Sequence, residues 1–212
     1  MKYNLNKNNF FVAAGISLFI AVILFITSTT LGKQQFFLLL NTDAGLFFDN
    51  FFAFITHLGE ESAWLALLLI TLFVLKRKDA IMLLIAGVIY STLFVQIIKN
   101  FVFVHEPRPI TEITDISTIH TVKGVTLNTI NSFPSGHTSL CFSVYLILCL
   151  LIPKKWCIPV GLLYALLVAY SRIYLAQHFP LDIAGGIIIA IISVWLAVLT
   201  QQFVWKKKLK QQ

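Results

Sequence analysis

The segment SRIYLAQHFPLD, residues 171–182, places several reactive side chain types in an otherwise apolar part of the chain. His178 and Asp182 are four residues apart, a spacing that lets two side chains meet at the start of a helix. A carboxylate in that position can fix the tautomer of an imidazole and stabilise the positive charge that the ring develops on attack. Arg172 adds a planar guanidinium, which matches the oxygens of a phosphate.

Helix capping explains only part of this segment. Pro180 suits the first position of a helix because its missing N–H costs no hydrogen bond there. Asp182 would then lie in the first helical turn, where the helix dipole favours a negative charge. Capping explains neither Arg172 nor His178. The segment is therefore predicted to be half of a chemical site.

The segment FPSGHTS, residues 133–139, precedes another apolar run and could supply the second half. Ser135 is typical of a helix N-cap, and Gly136 would let a ligand approach the backbone closely. The free N–H groups at a helix start also bind anions. His137 has no capping role, but it could protonate a departing oxygen as a general acid.

A third polar stretch, KNFVFVHEPRP, follows an earlier apolar run and contains Lys99 and Arg108. A lysine at the end of a membrane helix either extends to the interface or has a functional partner. Together the three stretches offer three cations, two histidines, an aspartate and a helix N-terminus. That set predicts a site for an anion with several oxygens.

The composition indicates an integral membrane protein, since 58% of the 212 residues are hydrophobic and only 12% are charged. Six apolar segments approach the roughly 20 residues that a helix needs to cross a bilayer. The second, fourth and fifth are short and are expected to extend into neighbouring residues. The segments are Phe10–Leu31, Ser62–Leu75, Ala80–Ile98, Thr138–Ile152, Cys157–Tyr170 and Leu181–Val204. The predicted fold is all-α, a six-helix transmembrane bundle forming a single domain over residues 1–212, with the active site on its outer face.

The net charge of +7 comes largely from basic clusters that each follow an apolar run. The clusters lie at residues 76–78, 154–155 and 206–210. Positive residues are retained on the cytoplasmic side of a membrane, so both termini are predicted to be cytoplasmic and the three polar stretches to face outward from a plasma or inner membrane. Nucleic acid is not predicted as a partner. The N-terminal segment could instead be a signal peptide, but its length and the lack of a clear cleavage site favour a spanning helix.

The segment GLFFDNFFAFITHLGEE, residues 45–61, is too short and polar to span and is predicted to be an interfacial helix. Its polar residues His57, Glu60 and Glu61 could line a headgroup site, although a solvated helix face is the favoured interpretation. The three cysteines show no metal-ligand spacing and are predicted to be small buried hydrophobic residues. They are Cys141, Cys149 and Cys157.

These motifs resemble those of the type 2 phosphatidic acid phosphatase superfamily, the membrane lipid phosphatases related to vanadium haloperoxidases. The family pattern Pro-Ser-Gly-His matches at residues 134–137. The pattern Ser-Arg, five residues, His, three residues, Asp matches at Ser171, Arg172, His178 and Asp182. The order of the motifs and their placement outside six apolar segments also fit, so the resemblance covers most of the chain.

The first family motif, a lysine followed by Arg-Pro, departs from the usual spacing. Arg108 and Pro109 match, but eight residues separate Lys99 from Arg108 where the family has six. Lys99 remains the best candidate because no other lysine lies nearby upstream. The resemblance therefore assigns it the family's lysine position, with a displaced spacing.

The resemblance implies a nucleophile, His178, that forms a phosphohistidine, with Asp182 orienting it and His137 acting as general acid. The implied phosphate ligands are Lys99, Arg108, Ser135, Gly136 and Arg172. No metal or other cofactor is implied. Three further residues match no family position and are expected to be solvated loop residues: His105, Glu106 and His120.

The expected function is a lipid phosphate or diphosphate phosphatase at the outer leaflet. Undecaprenyl diphosphate is the first substrate expected, with phosphatidylglycerophosphate, phosphatidic acid and lipid A phosphates as alternatives. A lipid phosphotransferase, which passes the phosphoryl group to another lipid, is a second enzymatic hypothesis. A transporter or membrane scaffold is disfavoured, since no charged residue lies in the middle of an apolar segment. The sequence predicts a lipid phosphate and the bilayer as partners, and it does not indicate an oligomeric state.

Overall fold

The computed structural model describes residues 5–209, with side chains up to residue 206. Within that range the regular structure is entirely helical, which confirms the predicted all-α class. The α-helices are α1 (Lys7–Leu31), α2 (Lys33–Leu40), α3 (Leu46–Ile55), α4 (Glu61–Leu69), α5 (Ile81–Ile97), α6 (Pro109–Glu112), α7 (Gly136–Leu151), α8 (Cys157–Tyr174) and α9 (Pro180–Leu209). Short 3₁₀ turns lie at Thr56–Gly59, Lys78–Ala80 and Ile116–Thr118, and π-helical turns extend α4 over Ile70–Val74 and α5 over Ile98–Val102.

Each of the six predicted apolar segments falls on helical structure. Four helical segments are long and apolar enough to cross a bilayer: Lys7–Leu31, Lys78–Val102, Cys157–Tyr174 and Pro180–Lys206. The second predicted segment is half of a broken helix, in which Leu46–Gly59 and Glu61–Val74 meet at an angle of 64°. The fourth corresponds to α7, which has 16 residues and begins at Gly136 rather than Thr138.

The core of the bundle lies around α9, which packs against α1, α5 and α7, while α7 also packs against α8. Fully buried residues recur along α9 every three or four positions, which forms the apolar stripe of a core-facing helix. They are Ile187, Ala190, Val194 and Ala197. Nearly every residue of α7 is buried, so α7 is enclosed by the rest of the bundle on all sides.

The close contact between α7 and α9 requires a glycine at position 186. A Cβ atom there would lie 2.7 Å from the carbonyl oxygen of Ser135 and 3.1 Å from the backbone nitrogen of Ser139. At the same end of the pair, the N–H of Ser135 donates to the carbonyl oxygen of Asp182 over 3.0 Å. The N-termini of α7 and α9 are therefore held together at one end of the bundle.

The loop between α5 and α7 is more closely packed than the sequence suggested. His105 is exposed as expected and the side chain of Glu106 is 33% exposed, whereas the solvated state expected for His120 is wrong, because its side chain is only 11% exposed. The Nε2 atom of His120 lies 3.0 Å from Asp49 Oδ1, and Glu106 forms a 3.2 Å ion pair with Lys33. These contacts form because α2 and α3 fold against this loop.

The interpretation of the cysteines as buried hydrophobic residues is confirmed. All three are buried and free. The sulfur atoms of Cys149 and Cys157 lie 3.8 Å apart, which is contact without a disulfide.

Candidate active site

His178 and Asp182 form a buried pair where the loop after α8 enters α9. The Nδ1 atom of His178 lies 3.2 Å from Asp182 Oδ2. The same carboxylate oxygen accepts hydrogen bonds from the Ser132 hydroxyl over 2.5 Å and from the N–H of Phe179 over 2.9 Å. A carboxylate held in this way selects the imidazole tautomer with its proton on Nδ1, which leaves the lone pair on Nε2 available for attack.

His178 is held in its neutral form. Burial, followed by the positive charges of Arg108, Arg172 and Lys99, keeps the pKa of His178 well below its usual 6.5. A neutral imidazole retains the lone pair that a nucleophile needs.

The end of α8 determines where His178 lies. Ala176 adopts a left-handed conformation with φ of 54°, which ends the helix. The N–H groups of Gln177 and His178 both donate to the carbonyl oxygen of Arg172, over 2.8 and 3.1 Å. The backbone of Arg172 therefore fixes the loop that carries the histidine.

The guanidinium of Arg108 is held by several carbonyl groups around the site. It donates to Ile130 O over 2.9 Å, and to the carbonyl oxygen and Oε1 of Gln177 over 2.9 and 3.2 Å. Gln177 in turn accepts a hydrogen bond from Asn128 over 2.9 Å. This network fixes the orientation of a buried cation next to His178.

The side chain of Arg172 is buried, but not every nitrogen of its guanidinium has a hydrogen-bond partner. Its Nη1 donates to the hydroxyl of Thr56 over 2.6 Å. Its Nε has no hydrogen-bond partner among the residues that the structure describes. Because an unpaired buried N–H is costly, this atom is well suited to donate to a bound phosphate oxygen.

Lys99 lies at the same end of the bundle despite its unusual spacing from Arg108. It belongs to the π-helical turn Ile98–Val102 at the end of α5. His105 then adopts a left-handed conformation with φ of 58° before the chain reaches Arg108. The charges of Arg108, Asp182 and Arg172 act on Lys99. The extra residues are therefore accommodated after Lys99 without removing it from the site.

The start of α7 supplies the remaining predicted residues. Ser135 is the N-cap, and its Oγ accepts from the N–H of Thr138 over 3.3 Å and from the Thr138 hydroxyl over 2.9 Å. Gly136 and His137 line a cavity of about 180 Å³ between α4, α5 and α7. The Nε2 atom of His137 lies 3.9 Å from Glu60 Oε1.

Sequence reasoning missed three residues that hold this arrangement together. Ser132 binds Asp182, Gln177 binds Arg108, and Thr56 binds Arg172. Gln177 is adjacent to His178, but no spacing rule marks it. Ser132 and Thr56 come from distant segments, so nothing in the local sequence indicated their partners.

A buried His–Asp pair beside three cations, in a bundle of apolar helices, is the arrangement expected of a membrane enzyme that transfers phosphoryl groups. The chain belongs to the PAP2 superfamily, whose family profile matches residues 80–206. The matched range includes α5, α7, α8 and most of α9, together with all eight predicted site residues.

Comparisons with individual proteins agree with this family. The chain is 31% identical to an undecaprenyl-diphosphatase of Sulfolobus acidocaldarius over 182 residues, which are 79% of this chain and 76% of the relative. The crystal structure of Aquifex aeolicus LpxE is similar at a TM-score of 0.65 and 29% identity, covering 76% of this chain and 92% of that one. A transmembrane PAP2 type phosphatidylglycerolphosphate phosphatase from Bacillus subtilis shares the fold over 92% of this chain and 97% of its own, at a TM-score of 0.63 and 22% identity.

Proposed function

We propose that this protein hydrolyses a lipid phosphate or diphosphate, with undecaprenyl diphosphate as its first substrate, through a phosphohistidine at His178. The observation that carries the proposal is the 3.2 Å contact between His178 Nδ1 and Asp182 Oδ2, formed beside three cations. The diphosphate substrate is supported by the relative from Sulfolobus acidocaldarius, which is named an undecaprenyl-diphosphatase.

In the first step the Nε2 lone pair of His178 attacks the terminal phosphorus atom. The bond from phosphorus to the bridging oxygen breaks, and the departing lipid phosphate takes a proton from His137. Asp182 accepts a hydrogen bond from the Nδ1–H of His178 and stabilises the positive charge that forms on the ring.

The phosphate oxygens are bound by groups that surround His178. Lys99, Arg108 and Arg172 supply positive charge where negative charge develops in the transition state. The free N–H of Gly136 at the start of α7 and the hydroxyl hydrogen of Ser135 can donate to the same oxygens. The unpaired Nε of Arg172 adds a further donor.

In the second step water attacks the phosphohistidine. His137, now neutral, takes a proton from the water molecule, the phosphorus–nitrogen bond breaks and His178 is restored. The three cations supply the charge stabilisation that a metal ion provides in other phosphatases, so the reaction is proposed to need no metal.

We also propose that the chain is a single domain over residues 1–212 that crosses the membrane six times. The four long helices, the broken α3–α4 pair and α7 would each cross once. The basic clusters at residues 76–78 and 154–155 lie in the connections at the opposite end of the helices from His178. Since basic residues stay on the cytoplasmic side, both termini would be cytoplasmic and the site would face outward.

The test is phosphate release by the purified protein in detergent micelles, with undecaprenyl diphosphate, phosphatidylglycerophosphate and phosphatidic acid as substrates. We expect the diphosphate to give the highest kcat/KM. We expect His178→Ala to lose at least about 10³-fold in kcat, and His137→Ala about 10²-fold, because a nucleophile and a general acid are removed.

The same assay tests the metal-free chemistry and the fate of the phosphoryl group. Activity is expected to persist in excess chelator, and phosphate should appear as the free ion when a second lipid is present. Full activity of His178→Ala would contradict the mechanism. Loss of activity in chelator that added metal restores would contradict metal independence, and a phosphorylated acceptor lipid without free phosphate would favour a phosphotransferase.

A further inference from the structure

Glu60 lies at the break between the two halves of the bent α3–α4 pair, facing the proposed general acid. Its backbone is extended, with φ of −98° and ψ of −176°. Its Oε1 atom lies 3.9 Å from Nε2 of His137 and 2.9 Å from Nδ1 of His57. One carboxylate oxygen therefore connects an exposed histidine to the histidine inside the site.

The position of this carboxylate is determined by close packing at Gly59. A Cβ atom on Gly59 would lie 2.5 Å from Val168 Cγ1 and 3.2 Å from His137 Cδ2. No larger residue fits there without a shift, so the break in the helix rests directly against His137 and α8. The adjacent Glu60 is thereby placed beside the imidazole.

The ring of His137 lies among basic groups, whose positive charge a nearby carboxylate can offset. Four basic groups act on its buried ring: Arg172, Arg108, Lys99 and His57. A general acid has to carry a proton before the leaving group departs. Among the residues that the structure describes, Glu60 is the carboxylate within ion-pair distance of this ring, and its charge also acts on Arg172.

We infer that Glu60 is a positioning residue for the general acid: it orients His137 and stabilises its protonated form. The inference rests on the proposed function and deepens it. Glu60 does not touch the substrate and exchanges no proton in the proposed cycle. His137 gives its proton to the leaving oxygen in the first step and takes one from water in the second, so protons balance without a contribution from Glu60.

The inference is tested by the pH dependence of kcat for Glu60→Gln with undecaprenyl diphosphate. Without the carboxylate, His137 should lose its proton at lower pH than in the wild type. We expect kcat to fall about fivefold at pH 8 and the loss to shrink as the pH is lowered into the range where the ring becomes protonated. Glu60→Asp should recover part of the loss at pH 8.

Two controls separate this role from a structural one. Glu61→Gln changes the next carboxylate along the chain, which lines the same cavity, and should keep the wild-type pH profile. In a His137→Gln background, Glu60→Gln should have no further effect on kcat, since Glu60 acts through His137.

Each outcome decides the inference. An equal loss of kcat at every pH, an unchanged profile, or a further loss in the His137→Gln background would overturn the role of Glu60. Equal melting temperatures of Glu60→Gln and wild type would exclude misfolding as the cause of a uniform loss. If the wild-type protein releases no phosphate from any lipid, the proposed function fails, and that result is distinct from an unchanged profile in an active enzyme.

Discussion

Asp182 Oδ2 is the atom on which most of the site's geometry depends. It receives hydrogen bonds from Ser132 over 2.5 Å and from the N–H of Phe179 over 2.9 Å, and it lies 3.2 Å from His178. Each donor restricts the carboxylate, and the carboxylate in turn restricts the imidazole. The orientation of the proposed nucleophile is therefore set by Asp182 and the groups that donate to it.

Replacement of Ser132 by alanine should weaken this orientation without removing any catalytic group. A hydrogen bond to a charged group contributes about 1.5–3 kcal/mol, so we expect kcat to fall by roughly tenfold or more with little change in KM. Steady-state phosphate release measures both constants. Ser117→Ala is the matched control, because Ser117 is exposed in the same loop. A loss confined to KM, or no loss, would contradict this role of Ser132.

At the scale of single residues, sequence spacing predicted the contacts between site residues that lie close together in the chain. The pairing of His178 with Asp182 followed from their separation by four residues at a helix start. The contact of Ser132 with Asp182 spans 50 positions, and that of Thr56 with Arg172 spans 116. Such contacts depend on how the helices pack, which the order of residues along a segment does not specify.

Among the helices, the close approach of α7 and α9 assembles the site. It brings the Pro-Ser-Gly-His segment against the start of α9, where the N–H of Ser135 donates to the carbonyl oxygen of Asp182 over 3.0 Å. Gly186 permits this approach because it has no side chain.

Gly186→Ala should therefore reduce both stability and activity. The added Cβ atom would lie 2.7 Å from the backbone oxygen of Ser135, and overpacking of this kind costs about 1–3 kcal/mol. We expect the melting temperature in detergent to fall by roughly 5 °C and kcat to fall with it. Gly15→Ala is the control, since a Cβ atom on Gly15 would meet nothing within 4 Å. Equal melting temperatures for the two variants would contradict the packing argument.

Hydropathy predicted where the helices are but not how they bend. The six apolar segments all fall on helical structure, because the length of an apolar run reflects the thickness of the bilayer. The 64° bend between α3 and α4 and the π-helical turn that carries Lys99 were not predicted. Apolar periodicity reports which residues are buried and says little about the direction of a helix axis.

At the scale of the molecule, two groups of basic residues lie at opposite ends of the bundle. The clusters at residues 76–78 and 154–155 lie at one end, whereas Lys99, Arg108 and Arg172 lie at the other, around His178. In the proposed orientation the first group lies on the cytoplasmic side, where basic residues are retained. The second group is buried or half-buried, and this burial makes a role in binding an anion the better explanation.

Composition and motif order predicted this whole-molecule arrangement well, because both the apolar segments and the polar stretches between them are visible in the sequence. The sequence did not predict that the α3–α4 segment places polar side chains beside His137. His57 and Glu60 were assigned to a solvated helix face, and both are in part exposed. Their relation to His137 follows only from the bend that turns this segment toward α7.

The most direct test of the account is to identify the residue that becomes phosphorylated. The wild-type protein would be mixed with a lipid diphosphate labelled in its terminal phosphate, quenched in base within milliseconds to seconds, and digested for mass spectrometry. The account predicts an acid-labile label on His178 that is chased into free phosphate and is absent from His178→Ala. A label on any other residue, or wild-type phosphate release by His178→Ala, would contradict it.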